Sequence, residues 1–268
     1  MALPRAHLLL GLVLCAYIPH LGAAEWSEVQ KRGFLIVGVK DNNPPLAYRD
    51  HQGKLVGYEI DIAEELALRL LGSKEKVQLL PLKNSERLPA LWQNRVDMVI
   101  AQMTVTGNRQ RLVVFSPSYY TDRTVILHAL QTNLATLPHP RVAVLHHSGN
   151  ISVLQMTLPQ AQPIAVSSYA EGFLALTTRK VDGMILDGVA SLHWLQQNRH
   201  FTAYPTPHFF SLAIALPQGL QYAELRQKVT DTLALLKTEG WLSQRQQFWG
   251  LQSRDKSDKD SAVAVPSP

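Results

Sequence analysis

The chain has 268 residues, 46% of them hydrophobic and 18% charged, which supplies real cores for one large or two modest domains. Its 26 Lys and Arg against 21 Asp and Glu give a net charge of +5. The basic residues are scattered, without a basic stripe interleaved with aromatics, so the clustered positive charge of a nucleic-acid binder is excluded.

Arg5 and His7 precede an apolar run, Leu8 to Ile18, and the small residues Gly22, Ala23 and Ala24 follow. This is the layout of a secretory signal peptide over 1–24, with cleavage expected after Ala24. The run is too short to anchor the chain in a bilayer. Cys15, the one cysteine, lies inside it. A lipoprotein signal places its cysteine after a small residue, whereas Leu14 stands here, so lipidation is not expected. The exported chain would then lack any disulfide, thiol nucleophile or thiolate metal site.

Short apolar runs then alternate with amphipathic stretches. Phe34–Val39 predicts a buried strand, and Asp61–Leu71 a helix with Ile62, Leu66 and Leu70 on one face. Val77–Leu82 predicts a strand, Leu88–Asn94 a helix and Asp97–Ala101 a strand. The second half repeats the alternation: strands at Val142–Leu145, Ile164–Val166 and Gly183–Leu186, with helices at Ile151–Met156, Ala170–Arg179 and Val189–Asn198. A strand at Leu212–Leu216 stops at Pro217, and helices at Tyr222–Lys237 and Trp241–Trp249 close the fold. Such alternation predicts an α/β fold of βαβ units on mainly parallel sheets. Residues 251–268 are polar, then rich in Ala, Val, Pro and Ser, and predict a disordered tail.

One internal echo stands out. Arg95-Val96-Asp97 and Lys180-Val181-Asp182 each follow an amphipathic helix and lead into an apolar strand. Two lobes built from one α/β unit would produce it; so would the general preference for Asp at helix-to-strand turns.

Four segments carry a resemblance. They are Gly38–Tyr48 with Gly53–Asp61; Leu88–Leu91 with Val96-Asp97; Thr104–Arg109 with Phe115–Tyr120; and Gly240-Trp241 with Phe248–Gly250. In this order they resemble the family 3 extracellular solute-binding proteins, which serve amino-acid import. The resemblance runs from about Gly33 to Gly250. It implies a two-lobed, type II periplasmic-binding-protein-like fold with a two-stranded hinge. Residues 25–121 and 211–250 would form the first lobe and 122–210 the second. Crossovers near Thr121–Thr124 and Phe209–Ser211 would serve as the hinge.

The resemblance also implies a site. Arg109 stands where the family's Thr-x-Thr-x-x-Arg arginine pairs with the ligand α-carboxylate, with the fork geometry that a lysine cannot reproduce. Thr104 would add to the same carboxylate. Gln102 departs from the small residue usual there, and would contact the ligand or crowd the pocket. Asp187 stands where the family receives the ligand ammonium, although Asp is also a favoured helix N-cap. Ser148 and Gly149 occupy the carboxylate-binding turn of the second lobe. The adjacent His146 and His147 lack a neighbouring Asp, Glu or Cys cluster, so no metal is expected and a ligand contact from His147 is. Asn43 and Asn84 fall where many relatives place aromatics, which favours a polar ligand side chain. Arg87 resembles an arginine of acidic-amino-acid binders; otherwise it is an exposed helix-start residue pairing with Glu86. The expected ligand is a polar amino acid: glutamate, aspartate or a related one.

The chain is therefore expected to be a monomeric periplasmic binding protein handing an amino acid to a membrane ABC permease, without cofactor, nucleic acid or catalysis. The alternatives are a dehydratase-like periplasmic enzyme on the same fold and a detached amino-acid sensor.

Overall fold

The computed structural model of the protein describes residues 25–251, apart from the side chains of His193 and Pro205. The expected signal peptide, with Cys15, and the expected tail lie outside these residues, except that Leu251 is buried and donates its N–H to Gln246 O.

Helix α1 (Trp26–Arg32) leads into β1 (Leu35–Val39), and the short strands β2 (Asn42–Asn43), β3 (Ala47–Arg49) and β4 (Leu55–Val56) form a small antiparallel sheet. There follow α2 (Tyr58–Leu71), β5 (Val77–Pro81), α3 (Arg87–Trp92), β6 (Met98–Ile100), α4 (Gly107–Gln110) and β7 (Val114–Ala129). Next come β8 (Arg141–Leu145), α5 (Asn150–Thr157), β9 (Gln162–Val166), α6 (Tyr169–Thr177), β10 (Gly183–Asp187) and α7 (Gly188–Gln197). Strand β11 (Phe201–Leu216), α8 (Ala223–Thr238) and α9 (Trp241–Phe248) complete the chain.

The large sheet has the order β5-β1-β6-β11-β7-β10-β8-β9. Strands β5, β1 and β6 run parallel at one end, and β10, β8 and β9 at the other. Between them β7 and β11, 16 residues each, pair antiparallel and pass through both halves. Each half has its own cores. In the first, α2, α8 and α9 cover one face of β1 around Leu35, Leu66 and Leu233. In the second, Leu127, Met184 and Leu186 pack beneath Phe173 and Trp194, whose rings stack 4.7 Å apart.

Strand β1 is buried along its whole length, which is why it reads as an unbroken apolar run. Helix α2 starts earlier than its periodicity predicts. Gly57 sets its entry at φ 134°, where an added β-carbon would lie 2.3 Å from Leu46 O, so only glycine serves there.

The sequence echo is a structural repeat. Asn94 and Arg179 both adopt left-handed backbone at the end of their helices. Asp97 and Asp182 then donate their N–H groups to Ile36 O and Arg141 O and accept the N–H groups of those residues on Oδ2. Each aspartate thereby ties its turn to the neighbouring parallel strand, β1 in one half and β8 in the other.

Candidate ligand-binding cleft

The carboxyl ends of the parallel strands face a cleft between the two halves, the place where open α/β sheets receive ligands. Lys40 follows β1, Asn84 lies beyond β5 and Gln102 beyond β6. From the second half come His147 and Ser148 after β8, and Asp187 as the last residue of β10.

Asp187 occupies the N-cap position of α7 but makes no capping bond. Its Oδ1 accepts Asn150 Nδ2 (3.0 Å), and its Oδ2 accepts Tyr169 Oη (2.9 Å) and the side-chain amide of Gln102. The cap is supplied from β7, where Asp122 Oδ2 accepts Val189 N at 3.1 Å. Burial pushes the Asp187 carboxyl up, opposed by the Asn150 and Tyr169 hydrogen bonds.

Arg109 projects from α4, whose start is capped by the Thr106 hydroxyl. Its Nη1 donates to Thr104 O at 2.9 Å, and its Nη2 reaches His147 O in the opposite half at 3.3 Å. Burial lowers its pKa, while Asp187 acts in the other direction. The two residues singled out as carboxylate and ammonium receptors therefore feel each other across the cleft.

Arg87 is buried, and the pairing with Glu86 does not form: Glu86 folds back onto Lys83 N instead. The Arg87 guanidinium donates to Asn84 O through Nε, and to Ala101 O and Gln102 O through Nη1. Burial and then Arg109 lower its pKa to about 10. Lys40 lines the candidate cleft and was missed by sequence reasoning. Its Nζ donates to Asn84 Oδ1 at 3.0 Å, and burial followed by the Arg87 charge lowers its pKa to about 8. A cavity of ≈ 260 Å³ beside it is walled by Asn84 and Glu86 on one side and by Leu145, Ser168 and Tyr169 on the other.

Glu59, from the first turn of α2, lies beneath the first-half wall of the cleft. Its Oε1 accepts Tyr119 Oη (2.5 Å) and Gln102 N (2.8 Å), whereas Oε2 is buried without a hydrogen-bond partner among the described residues. Burial raises its pKa, which favours the neutral acid in this position.

The remaining predicted residues fall as follows. Asn43 is buried and donates its amide to Gln102 Oε1 at 2.8 Å. Ser148 Oγ accepts Asn150 N, a bond that closes the turn into α5. Thr104 bridges Leu212 and offers its carbonyl to Arg109. The His147 side chain is exposed, and that residue reaches the cleft through its carbonyl. Besides Lys40, sequence reasoning also passed over Asn150, Tyr169 and Glu59. Only an acid inside an apolar helix start, Glu59 next to Ile60, carried any local signal.

The model of the bacterial extracellular solute-binding proteins, family 3, matches residues 35–252. The chain belongs to this family. Its fold is that of the type II periplasmic binding proteins: the L-cysteine solute receptor of Neisseria gonorrhoeae superposes with a TM-score of 0.78 over 84% of this chain and 93% of that one, at 23% identity. An ancestral amino-acid-binding protein, a precursor of cyclohexadienyl dehydratase, superposes with a TM-score of 0.75 at 27% identity, over 85% and 99% of the two chains. In sequence, the glutamine-binding protein of Geobacillus stearothermophilus is 30% identical over 62% of this chain and 65% of its own length. The L-cystine-binding protein TcyJ of Escherichia coli K12 is 24% identical over 83% and 85%. Family and fold are those the four sequence segments implied.

Proposed function

We propose that the protein is a periplasmic binding protein that closes its two lobes on one free amino acid and delivers it, as a monomer, to a membrane ABC importer. One observation carries the reading. A buried carboxylate that caps no helix, Asp187, and a guanidinium from the other half, Arg109, are presented together at the strand ends. An ammonium and a carboxylate borne by one ligand carbon complement such a pair. The relatives' names, which specify glutamine and cystine, support the amino-acid class. Bending would occur at 121–124 and 209–211, next to the break in regular β11 pairing between Pro205 and Phe209.

For the ligand side chain, Lys40 and Arg87 make the inner wall cationic and favour a polar ligand with an acidic end. A lyase on this fold is the second reading, favoured by the buried acid Glu59 and by the dehydratase-precursor likeness. Glu59 has no exposed surface and sits behind the Gln102 backbone, which favours binding over catalysis.

Thermal unfolding with each common amino acid tests the proposal. A ligand at about 1,000 times its dissociation constant raises the midpoint by roughly 10 °C, and Arg109→Ala abolishes the rise. No rise with any amino acid would remove the proposed ligand class.

A further inference from the structure

Gln102 has a backbone conformation and a set of contacts that ordinary packing does not require. Its φ is 53°, in the left-handed region that a residue with a β-carbon seldom adopts. Two buried polar side chains hold that backbone: Glu59 Oε1 accepts its N–H, and Arg87 Nη1 donates to its C=O. Asn43 then fixes the side chain by donating to Oε1, which leaves the amide nitrogen to donate. That nitrogen crosses from the first half of the molecule to Asp187 in the second.

Asp187 has three side-chain donors among the described residues. Asn150 and Tyr169 belong to its own half and stay with it however the lobes move. Gln102 is the donor that spans the cleft, and it presents a nitrogen to the carboxylate much as a ligand amino group would.

We propose that Gln102 is the affinity- and selectivity-determining residue of the cleft: its amide is an internal ligand of Asp187 that an incoming amino group must displace. This rests on the amino-acid reading above. A neutral amide binds a carboxylate less strongly than an ammonium does, so a cationic amine displaces it and a ligand without one does not. Its bond also holds the unliganded lobes together, so ligand affinity is what remains after that bond is broken.

The test compares the full-length wild-type protein with Gln102→Ala, using L-glutamine, L-glutamate, L-arginine and L-cystine as probes in titration calorimetry. The probe that binds wild type is expected to bind Gln102→Ala on the order of tenfold tighter, the effect of removing one charge-assisted competitor. Unchanged or weaker binding overturns the proposal; weaker binding would make Gln102 a direct ligand contact. If no probe binds either protein, the proposed function fails, and small-angle scattering of the ligand-free proteins decides about Gln102. A larger radius of gyration in the variant sustains the internal bond, and equal radii overturn it. Gln102→Glu, which sets a second carboxylate against Asp187 in the same shape, replaces alanine in the scattering comparison should the alanine variant not fold.

Discussion

Two aspartates share what one commonly does alone. At the start of α7 the N-cap residue is Asp187, yet Asp122 from the neighbouring strand bonds the helix N–H, and Gly188 leaves room for it: a β-carbon there would lie 2.9 Å from Asp122 Oδ1. Relieved of capping, the Asp187 carboxylate faces the cleft. Asp122 is buried, and desolvation followed by the nearby Asp187 charge raises its pKa to about 7. In the unfolded chain the same group titrates near 4. Between these values the native state holds the proton that the unfolded state has released, so stability falls as pH rises through this window. Asp187 and Glu59, also raised by burial, act in the same sense. The unfolding midpoint of the ligand-free protein is therefore expected to be higher at pH 5 than at pH 7, and Asp122→Asn to flatten that slope. Calorimetry across the range checks both; a wild-type midpoint that rises with pH contradicts the assignment. Residue patterns pointed to Arg109 and Asp187, which the structure brings to one cleft. They did not point to Lys40, Asn150 or Tyr169. Nothing local distinguishes a lysine after a strand or a tyrosine at a helix start, and only the pairing of distant strands gives them a role.

At the scale of elements, the matching turns at Asp97 and Asp182 do unequal work. Asp97 is wholly buried and bonds both the Ile36 N–H and the Arg32 guanidinium. Asp182 holds the Arg141 N–H and side chain at a partly exposed site. Removing a buried carboxylate leaves a desolvated guanidinium and N–H uncompensated, a loss of about 3 kcal/mol, against about 1 kcal/mol where water can replace it. Asp97→Ala is expected to lower the urea midpoint well beyond Asp182→Ala; equal losses would show that exposure does not decide the matter. Strands and helices were legible where burial is continuous, as in β1, or follows one period, as in α2. The long pair β7 and β11 was only partly so. Within β7 the residues from Thr124 to Leu127 are buried in succession while Ser116 to Thr121 are mixed, so no single alternation runs through it. The three short strands β2, β3 and β4 are held by turns and pairing, with too few residues to show a period.

For the whole molecule, the two halves have largely separate cores, with Val189 of α7 joining the first-half cluster, and its cooperativity therefore depends on what lies between them. The second half is inserted between β7 and β11 and is built around its own clusters. Without ligand, the calorimetric enthalpy of unfolding is expected to exceed the van't Hoff value, because the halves can melt separately. A saturating amino acid that bridges them should bring the two values together. A single two-state transition in both conditions would show that β7 and β11 alone couple the cores.

That same crossing of β7 and β11 returns the chain to where it began: Trp26 and Leu251 pack in one core. Fluorescent reporters attached beside Trp26 and Leu251 would therefore ride on the same body and stay silent in any relative motion of the two halves. A working optical sensor needs one reporter beside Trp26 or Leu251 and the other set into the far body. The exposed stretch 135–136 or the turn at Arg179 and Lys180 offers an insertion point where little native packing would be lost.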